Sequence, residues 1–307
     1  MNPSPAPLLV RLPNHLGDAC MCLPALHLLA AHGPLQLAGK GWARSLFSAY
    51  DWPVIPLGGF WAGWRALRAA APAPALLFTN SLGSALQVRL AGLAASGYAT
   101  EARAALLARA LPLPAAWAGT LHTVEYYLAL AAAHLGVQAE VPARLSLRLP
   151  AQALERAHAT RVAAGAGAHY VVLCPAAVGR HRGQVKAWSG FGALARDLKA
   201  RGHTVLACPG PGETAAVRAA TPAAIVLPEV DVATFAALLQ GSRLVVANDS
   251  GAGHVAAAVD APLVSVFGVT DPTKTRPWGP RARLVGSAQG WPSYGAVVAA
   301  VVAALGH

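Results

Sequence analysis

Short apolar runs alternate with helical segments along most of the chain, and both halves show the same alternation. Runs of this length and composition are typical of strands buried in a sheet. The predicted strands are Leu8–Leu12, Leu35–Ala38, Val54–Pro56 and Ala75–Phe78 in the first half, then Tyr170–Cys174, Thr204–Cys208, Ala224–Leu227, Leu244–Val246 and Leu263–Phe267 in the second. Helices are predicted between them, so the pattern indicates an α/β fold built of two Rossmann-like halves.

The chain has 307 residues, which is more than one hydrophobic core usually serves, so two domains are expected. A helix predicted at Gln152–Ala164 ends at a Gly-containing break, Gly165–His169, where we place the linker. The expected domains are residues 1–160 and 161–290. The segment 291–307 is an apolar helix that we expect to pack back on the N-terminal domain.

Two local predictions concern the first half. Ala19 to Ala31 is predicted to form one helix, although Pro24 lies near its first turns. The segment Leu106–Pro114 is rich in Pro and Leu and is predicted to be a loop.

Composition limits the classes of function. The chain is 55% hydrophobic and 12% charged, which favours a compact globular protein. The formal net charge of +11 indicates an anionic partner, such as a nucleotide, nucleic acid or anionic lipid. The basic residues are scattered singly, without the aromatic-interleaved patch typical of RNA binding, so a nucleic-acid partner is not expected.

Cysteines and apolar runs indicate neither metal ligation nor membrane insertion. The four cysteines have no zinc-ligand spacing and are predicted to be core residues or free thiols: Cys20, Cys22, Cys174 and Cys208. The longest clean apolar run, Ala296–Leu305, is too short to cross a bilayer. The N-terminus enters a strand-like segment directly, so no signal peptide is expected and the cytosol is the expected location.

The stretch from Asn248 to Trp278 carries the clearest chemistry. It reads as a strand end, a turn at Asn248–Gly251, a short helix and a second strand, which is a compact parallel βαβ unit. A helix that starts at the carboxyl end of a strand presents N–H groups and a positive dipole end, so it suits a phosphate. His254, one turn into this helix, would add a donor or a charge. The alternative is that these residues only cap the helix.

A second polar loop, Pro13–Asp18, follows the first predicted strand. Asp18 lies at the start of the next helix, where an acid can cap the helix and complement its dipole. At the carboxyl edge of a sheet it could instead act as a general base. The sequence pattern leaves both interpretations open.

Two Rossmann-like halves with these loops suggest the GT-B architecture of glycosyltransferases, in which the two domains face a cleft. The chain resembles glycosyltransferase family 9, the ADP-heptose:lipopolysaccharide heptosyltransferases. Four segments carry the resemblance: RLPNHLGDACMCLPALHLL, LCPAAVGRHRGQVKAWSGFGALARDLKARGHTVLACPGPGE, NDSGAGHVAAAVDAP and VFGVTDPTKTRPWG.

The resemblance implies a role for three charged side chains. Asp18 would be the general base that takes a proton from the acceptor hydroxyl. Lys186 would contact the phosphates of the donor, and Glu213 would hydrogen-bond the nucleotide ribose. The alternatives are a solvated lysine beside a helix for Lys186 and a first-turn helix acid for Glu213.

The resemblance also assigns Asp249, Ser250, Gly251 and His254 to the donor-binding signature. Ser250 and Gly251 would offer a hydroxyl and N–H groups to the diphosphate, whereas Asp249 would face the sugar. His254 could equally be a buried structural histidine. Further candidates for phosphate or acceptor contacts are Asn14, Gly17, Arg180 and Arg182, of which the two arginines lie in a loop that departs from the family pattern.

The function implied by the resemblance is inverting transfer of heptose from ADP-L-glycero-D-manno-heptose to the inner core of a lipid A precursor. It implies no cofactor and no metal, an N-terminal domain that binds the acceptor, a C-terminal domain that binds the donor, and action at the cytosolic face of the inner membrane. One alternative is a GT-B enzyme for another nucleotide sugar, such as a UDP-sugar transferase or epimerase. The other is a non-enzymatic basic binding protein.

Overall fold

The computed structural model describes residues 6–70, 73–100, 102–176, 180–181 and 184–306, with only the backbone at 180–181 and 184–185. The chain forms two compact units, residues 1–142 and 143–307. Each unit is built on one six-stranded parallel sheet. Among the described residues, no helix is both long enough and apolar enough to cross a bilayer.

In the first unit the strand order is β3-β2-β1-β4-β5-β6. The strands are β1 (Leu8–Arg11), β2 (Leu35–Gly39), β3 (Val54–Pro56), β4 (Ala75–Leu77), β5 (Ala95–Tyr98) and β6 (Arg109–Leu111). The helices are α1 (Leu16–Met21), α2 (Leu23–Ala30), α3 (Ala43–Leu46), α4 (Phe60–Ala69), α5 (Leu82–Leu90) and α6 (Thr123–Leu135), with 3-10 turns at Arg103–Leu106 and Ala115–Ala118.

In the second unit the strand order is β11-β10-β7-β12-β13-β14, and β8 pairs with β9 in a separate hairpin. The strands are β7 (Tyr170–Cys174), β8 (Arg180–His181), β9 (Gln184–Val185), β10 (Thr204–Ala207), β11 (Ile225–Val226), β12 (Leu244–Asn248), β13 (Leu263–Phe267) and β14 (Ala282–Gly286). The helices are α7 (Ala151–Ala163), α8 (Phe191–Ala200), α9 (Thr214–Ala220), α10 (Val232–Gln240), α11 (Gly251–Ala258), α12 (Pro272–Thr275) and α13 (Tyr294–Leu305).

The central strands show why apolar runs produce this sheet. Every residue of β7, β12 and β13 is buried, because helices cover both faces of a parallel sheet. The predicted α/β class with two Rossmann-like units is therefore confirmed. That the units face a cleft stays a prediction.

Chain direction places the polar loops of both units. In each sheet the first strand lies in the middle. The next two strands of the sheet lie on one side of it and the last three on the other, so strand order reverses between β1 and β4 and between β7 and β12. Ligands of open α/β sheets bind beyond the carboxyl ends of strands at such switch points. The loop after β1 leads into α1, whose first turn contains Asp18, and the loop after β12 contains Asp249.

The division between the units falls at residues 142 and 143 rather than near residue 160. The reason is that α7 packs against α10 of the second unit. Arg156 on α7 forms a salt bridge with Asp231 (3.1 Å) and donates a hydrogen bond to Thr234 Oγ1 (3.0 Å). The terminal helix α13 buries Val297 and Val301 in the core of the second unit, and its packing on the first unit stays a prediction.

Two local predictions were wrong. The segment Ala19–Ala31 is not one helix, because α1 ends at Met21 and α2 starts at Leu23, with Pro24 unable to donate a backbone hydrogen bond at the junction. The segment Leu106–Pro114 contains the edge strand β6, which pairs with β5. That pairing depends on β5, which lies outside the segment, so the composition of the segment alone could not reveal it.

Candidate functional site

The junction of β12 and α11 forms the centre of the predicted donor site. Ser250 is the N-cap residue of α11, yet its side chain makes no capping hydrogen bond. Its Oγ is buried and has no hydrogen-bond partner among the residues that the structure describes. The Ser250 side chain therefore does not act as a helix cap, and its hydroxyl is available to hydrogen-bond a ligand.

A second unpaired hydroxyl lies near the first turn of the same helix. Ser265 on β13 is fully buried, and within the described part of the chain its Oγ has no hydrogen-bond partner. A Cβ placed on Gly253 would lie 3.7 Å from Ser265 Oγ and 3.4 Å from Pro277 Cγ, so the helix start is closely lined here. Two hydroxyls with unused hydrogen-bonding capacity beside a helix N-terminus are suited to binding an anion.

Asp249 connects this junction to two other segments. Its Oδ2 lies 3.2 Å from Lys186 Nζ and accepts a hydrogen bond from Thr270 Oγ1 at 2.6 Å. The Asp249 and Lys186 side chains are 9% and 24% exposed, so the pair is only partly solvated and is screened less than a surface pair. The structure thus brings Lys186 and Asp249 together, as the sequence could not show, and adds Thr270, which sequence reasoning missed.

Asn248 fixes the segment that carries Lys186 to the end of β12. The fully buried Asn248 accepts a hydrogen bond from the Trp188 N–H at 3.0 Å and donates one to the Pro175 carbonyl at 2.7 Å. Pro175 precedes the β8–β9 hairpin and Trp188 follows it, so the Asn248 side chain holds the chain at both ends of the hairpin. In the sequence, an Asn that ends an apolar strand and precedes an acid is the signal that could have revealed this structural role of Asn248.

The remaining residues of the signature have mixed outcomes. Gly251 is the first residue of α11 and Gly253 is buried in its first turn. His254 is 5% exposed, which fits the structural interpretation, and its role in donor binding stays a prediction. Arg180 has only its backbone described, in β8, and Arg182 lies outside the described residues.

Glu213 lies in a turn after β10, at the same edge of the sheet. Its Oε2 accepts a hydrogen bond from the Gly210 N–H at 2.9 Å. Glu229, which sequence reasoning missed, accepts hydrogen bonds from the Gly212 N–H (2.9 Å) and Thr214 Oγ1 (3.0 Å). Glu213 precedes α9 without capping it through its side chain, and two carboxylates shape this Gly-containing turn. Contact of Glu213 with a ribose stays a prediction.

In the first unit, Asp18 lies in the first turn of α1. Its Oδ2 is 3.4 Å from Nδ1 of the exposed His15, and the Asp18 side chain is 31% exposed. Gly17 is buried in the same turn. The partly open carboxylate is compatible both with a dipole role and with proton transfer to a bound hydroxyl.

The loop before Asp18 is held by the buried Arg11. One Arg11 nitrogen donates to the Leu12 carbonyl, and another donates to Asn14 Oδ1 at 2.9 Å. No described residue accepts a hydrogen bond from Arg11 Nε. Burial lowers the pKa of Arg11 to about 10. Asn14 therefore supports the loop through its side chain in this structure.

A polar cluster lies at the carboxyl ends of β4 and β5. Asn80 Oδ1 accepts a hydrogen bond from Tyr126 Oη at 2.8 Å and lies 3.4 Å from a nitrogen of Arg103, which is fully buried. Trp117 packs on the Tyr126 ring with centroids 4.0 Å apart. Burial raises the pKa of Tyr126, so its hydroxyl stays protonated at neutral pH.

Metal ligation can be considered only within the described part of the chain. There, no three His, Cys, Asp or Glu side chains come together at one point that could hold a metal ion. Reaction without a metal or cofactor stays a prediction.

Comparison with known proteins identifies the family. Residues 60–296 match the family described as glycosyltransferase family 9 (heptosyltransferase). Lipopolysaccharide heptosyltransferase 3 of Escherichia coli is 35% identical over 125 residues, which are 38% of this chain and 36% of that protein. Lipopolysaccharide heptosyltransferase 1 of Pseudomonas aeruginosa is 48% identical over 56 residues, 18% of this chain and 16% of that protein. The chain thus aligns with about a third or less of the length of these relatives.

Solved structures with the same fold cover nearly the whole chain. E. coli ADP-heptose lipopolysaccharide heptosyltransferase II has a TM-score of 0.76 at 24% identity, with 97% of each chain covered. E. coli heptosyltransferase WaaC with ADP has a TM-score of 0.74 at 20% identity, with 97% of this chain and 99% of that chain covered. At this identity the likeness shows the fold, while the match over residues 60–296 shows the family. The chain belongs to glycosyltransferase family 9, the heptosyltransferase family.

Proposed function

We propose that the protein is an inverting glycosyltransferase that transfers heptose from ADP-L-glycero-D-manno-heptose to the inner core of a lipopolysaccharide precursor. The observation that carries the proposal is the arrangement after β12, where Lys186, Asp249, Thr270 and the unpaired Ser250 hydroxyl surround the start of α11. Membership of the family and the names of the relatives support heptose as the sugar. The structure of WaaC with ADP supports an adenine nucleotide.

The second unit would bind the donor. The N-terminus of α11 and the Ser250 hydroxyl would take the diphosphate, which gains negative charge as the sugar leaves. Lys186 would share its ammonium between Asp249 and a phosphate oxygen and so offset the charge of the leaving ADP. Glu213, at the end of the neighbouring β10, would receive a hydroxyl of the ribose.

The first unit would bind the acceptor and supply the base. The acceptor hydroxyl oxygen would attack the anomeric carbon opposite to the departing phosphate, so the new C–O bond forms as the bond to ADP breaks and the configuration inverts. Asp18 would take the hydroxyl proton, and ADP would leave with the electron pair of the broken bond. Asn14 in the loop before α1 and Gly17 in its first turn, together with Arg180 and Arg182, remain candidates for contacts with phosphates or acceptor.

The partner and location follow from this substrate. A lipid A–core acceptor carries phosphates and acidic sugars, which complement a chain of net charge +11. We propose that the protein works in the cytoplasm, at the inner face of the inner membrane, without nucleic acid as a partner.

The test is sugar transfer from ADP-heptose to heptose-deficient lipopolysaccharide cores by the wild type and Asp18→Asn. We expect loss of transfer by about a hundredfold or more with unchanged ADP affinity, because a general base typically contributes 10²–10⁴-fold. Asp51→Asn, which removes another exposed acid of the same unit, serves as the control. Equal transfer by Asp18→Asn and the control would reject Asp18 as the base.

Two further outcomes separate the alternatives. Thermal stabilisation by UDP-sugars but not by ADP-heptose would favour a transferase or epimerase for a different nucleotide sugar. Tight binding of anionic polymers or lipids without any sugar transfer, unaffected by Asp18→Asn, would favour a non-enzymatic binding protein.

A further inference from the structure

On helices α4 and α5 of the first unit, several large apolar side chains are exposed to solvent. Trp61 on α4 is 67% exposed, and Leu82, Leu86 and Leu90 on α5 are 46%, 38% and 47% exposed. Leucines spaced by four residues lie on one stripe of a helix, so the three form a continuous line along α5. We call this surface, made by the outward side chains of residues 60–69 and 82–90, the α4–α5 face.

The two helices lie side by side on one face of the sheet. Leu67 of α4 and Ala85 and Val88 of α5 belong to the same buried core cluster, so the inward sides of both helices meet one sheet face. Gln87 on α5 donates a hydrogen bond to the Phe60 carbonyl on α4 at 2.6 Å, which joins the helices directly. Their exposed stripes therefore point away from the same layer and form one surface.

The charges on this face all have the same sign. From residue 52 to residue 100 the sequence contains no Asp or Glu, and its basic residues are Arg65, Arg68 and Arg89. All three arginines are exposed. Arg65 and Arg68 follow Trp61 at helical spacings of four and seven residues, so they lie beside it, and the Arg68 guanidinium stands 5.6 Å from the centre of the Trp64 ring.

We propose that the α4–α5 face docks on a bilayer that carries anionic phospholipid headgroups. Tryptophan prefers the boundary between headgroups and acyl chains, and a leucine stripe can enter that boundary while arginines at its edge contact phosphates. An isologous dimer through this face would oppose like charges, and the exposed leucines have no use in phosphate contacts with nucleic acid. An anionic lipid surface satisfies the apolar stripe and the arginines together.

This inference rests on the proposed function for the location at the inner membrane and adds the surface that makes the contact. The face is described entirely within the first unit and includes none of the residues assigned to catalysis or donor binding. Failure of the inference would leave transfer to a water-soluble acceptor unaffected, so the two can be tested separately.

The experiment is co-sedimentation of the full chain with vesicles of phosphatidylglycerol and phosphatidylcholine (3:7) and with pure phosphatidylcholine vesicles. We expect binding to the anionic vesicles that weakens with salt. Substituting all three arginines (Arg65→Gln, Arg68→Gln, Arg89→Gln) should weaken it about a hundredfold, since each basic residue near an anionic surface typically adds about a factor of five. Substituting the leucines (Leu82→Gln, Leu86→Gln, Leu90→Gln) should weaken binding at least about tenfold by removing the inserted apolar area.

A matched control removes three exposed arginines from the second unit, Arg196→Gln, Arg218→Gln and Arg283→Gln, and should bind as the wild type does. Transfer to a de-acylated, water-soluble core should be unchanged in the α4–α5 variants, and their thermal unfolding confirms folding. No vesicle binding by the wild type, or equal loss in the control, would overturn the proposal. So would a wild-type dimer that the leucine variant dissociates, or a preference for RNA over vesicles that the same substitutions abolish.

Discussion

At the scale of single residues, burial decides which chemical groups can act. All four cysteines are buried and free, which confirms that they are core residues and free thiols. Burial raises the pKa of Cys208 to about 12 and raises that of the other three as well, so none is a thiolate at neutral pH. Asp249 is also buried, but Lys186 and Thr270 compensate its charge.

Lys186 gives a direct test of the donor site at this scale. We expect Lys186→Gln to weaken ADP binding by about 10- to 100-fold, because a hydrogen bond to a charged group contributes roughly 1.5–3 kcal/mol. Isothermal titration calorimetry measures the affinity, and the Asp249–Thr270 hydrogen bond should keep the junction in place.

Lys199→Gln, which removes an exposed lysine from α8, is the control and should bind ADP normally. If both variants bound ADP as tightly as the wild type, Lys186 would be a structural partner of Asp249 and would not contact phosphate.

At the scale of elements, helix ends show how local and distant contacts combine. The start of α6 is a capping box between His122 and Glu125, and its end is Gly136 with φ of 73°, where glycine adopts the left-handed conformation without strain. These features are local and visible in the sequence. Arg109 on β6 also donates to the carbonyls of His134 (2.9 Å) and Ala133 (3.1 Å), a contact that only the folded sheet creates.

His134 makes the stability of this helix end depend on pH. Burial, followed by the charge of Arg109, lowers its pKa from the usual 6.5, although a helix C-terminus alone favours the charged imidazole. In the window below 6.5 the unfolded state binds more protons than the folded state, so this contribution to stability is complete above pH 6.5 and declines as pH falls. We expect the unfolding free energy of the first unit to decrease between pH 7.5 and 5.5, and less so in His134→Gln.

Urea unfolding at each pH measures this difference, and His169→Gln, at an exposed loop position, is the control. Parallel pH profiles for the wild type and His134→Gln would show that His134 does not contribute.

At the scale of the whole molecule, the chain contains two hydrophobic cores, and each core supports the loops of its own unit. Lys186, Glu213, Asp249 and Ser250 belong to the second unit, and Asp18 belongs to the first. A ligand that binds only one folded unit stabilises that unit by mass action.

We therefore expect calorimetry to show two unfolding transitions, only one of which ADP raises. At an ADP concentration of about 100 Kd the stabilisation is roughly 2.7 kcal/mol. Leu26→Ala, a truncation in the first core, should lower the other transition, since such changes cost about 2–5 kcal/mol. A shift of both transitions by ADP would mean that donor residues alone do not form the nucleotide site.

The sequence by itself determined the α/β class, the positions of the central strands and the loops that follow them. These depend on apolar runs and on Gly, Asn, Asp and Ser at strand ends, which act within a few residues. The quoted motifs also led to the family. Asp18 and Asp249 could be selected in this way because each lies in the polar segment that follows a predicted strand.

Only the tertiary structure decided which of these residues meet. The Lys186–Asp249–Thr270 cluster joins three loops, and the unpaired Ser250 hydroxyl is recognised only when every neighbouring atom is known. The β6 strand depends on its pairing with β5, and the place of α7 in the second unit depends on contacts with α10, far along the chain. The physical reason is that sheet pairing and burial are non-local, so a residue's neighbours in space are set by the whole fold and not by its own segment.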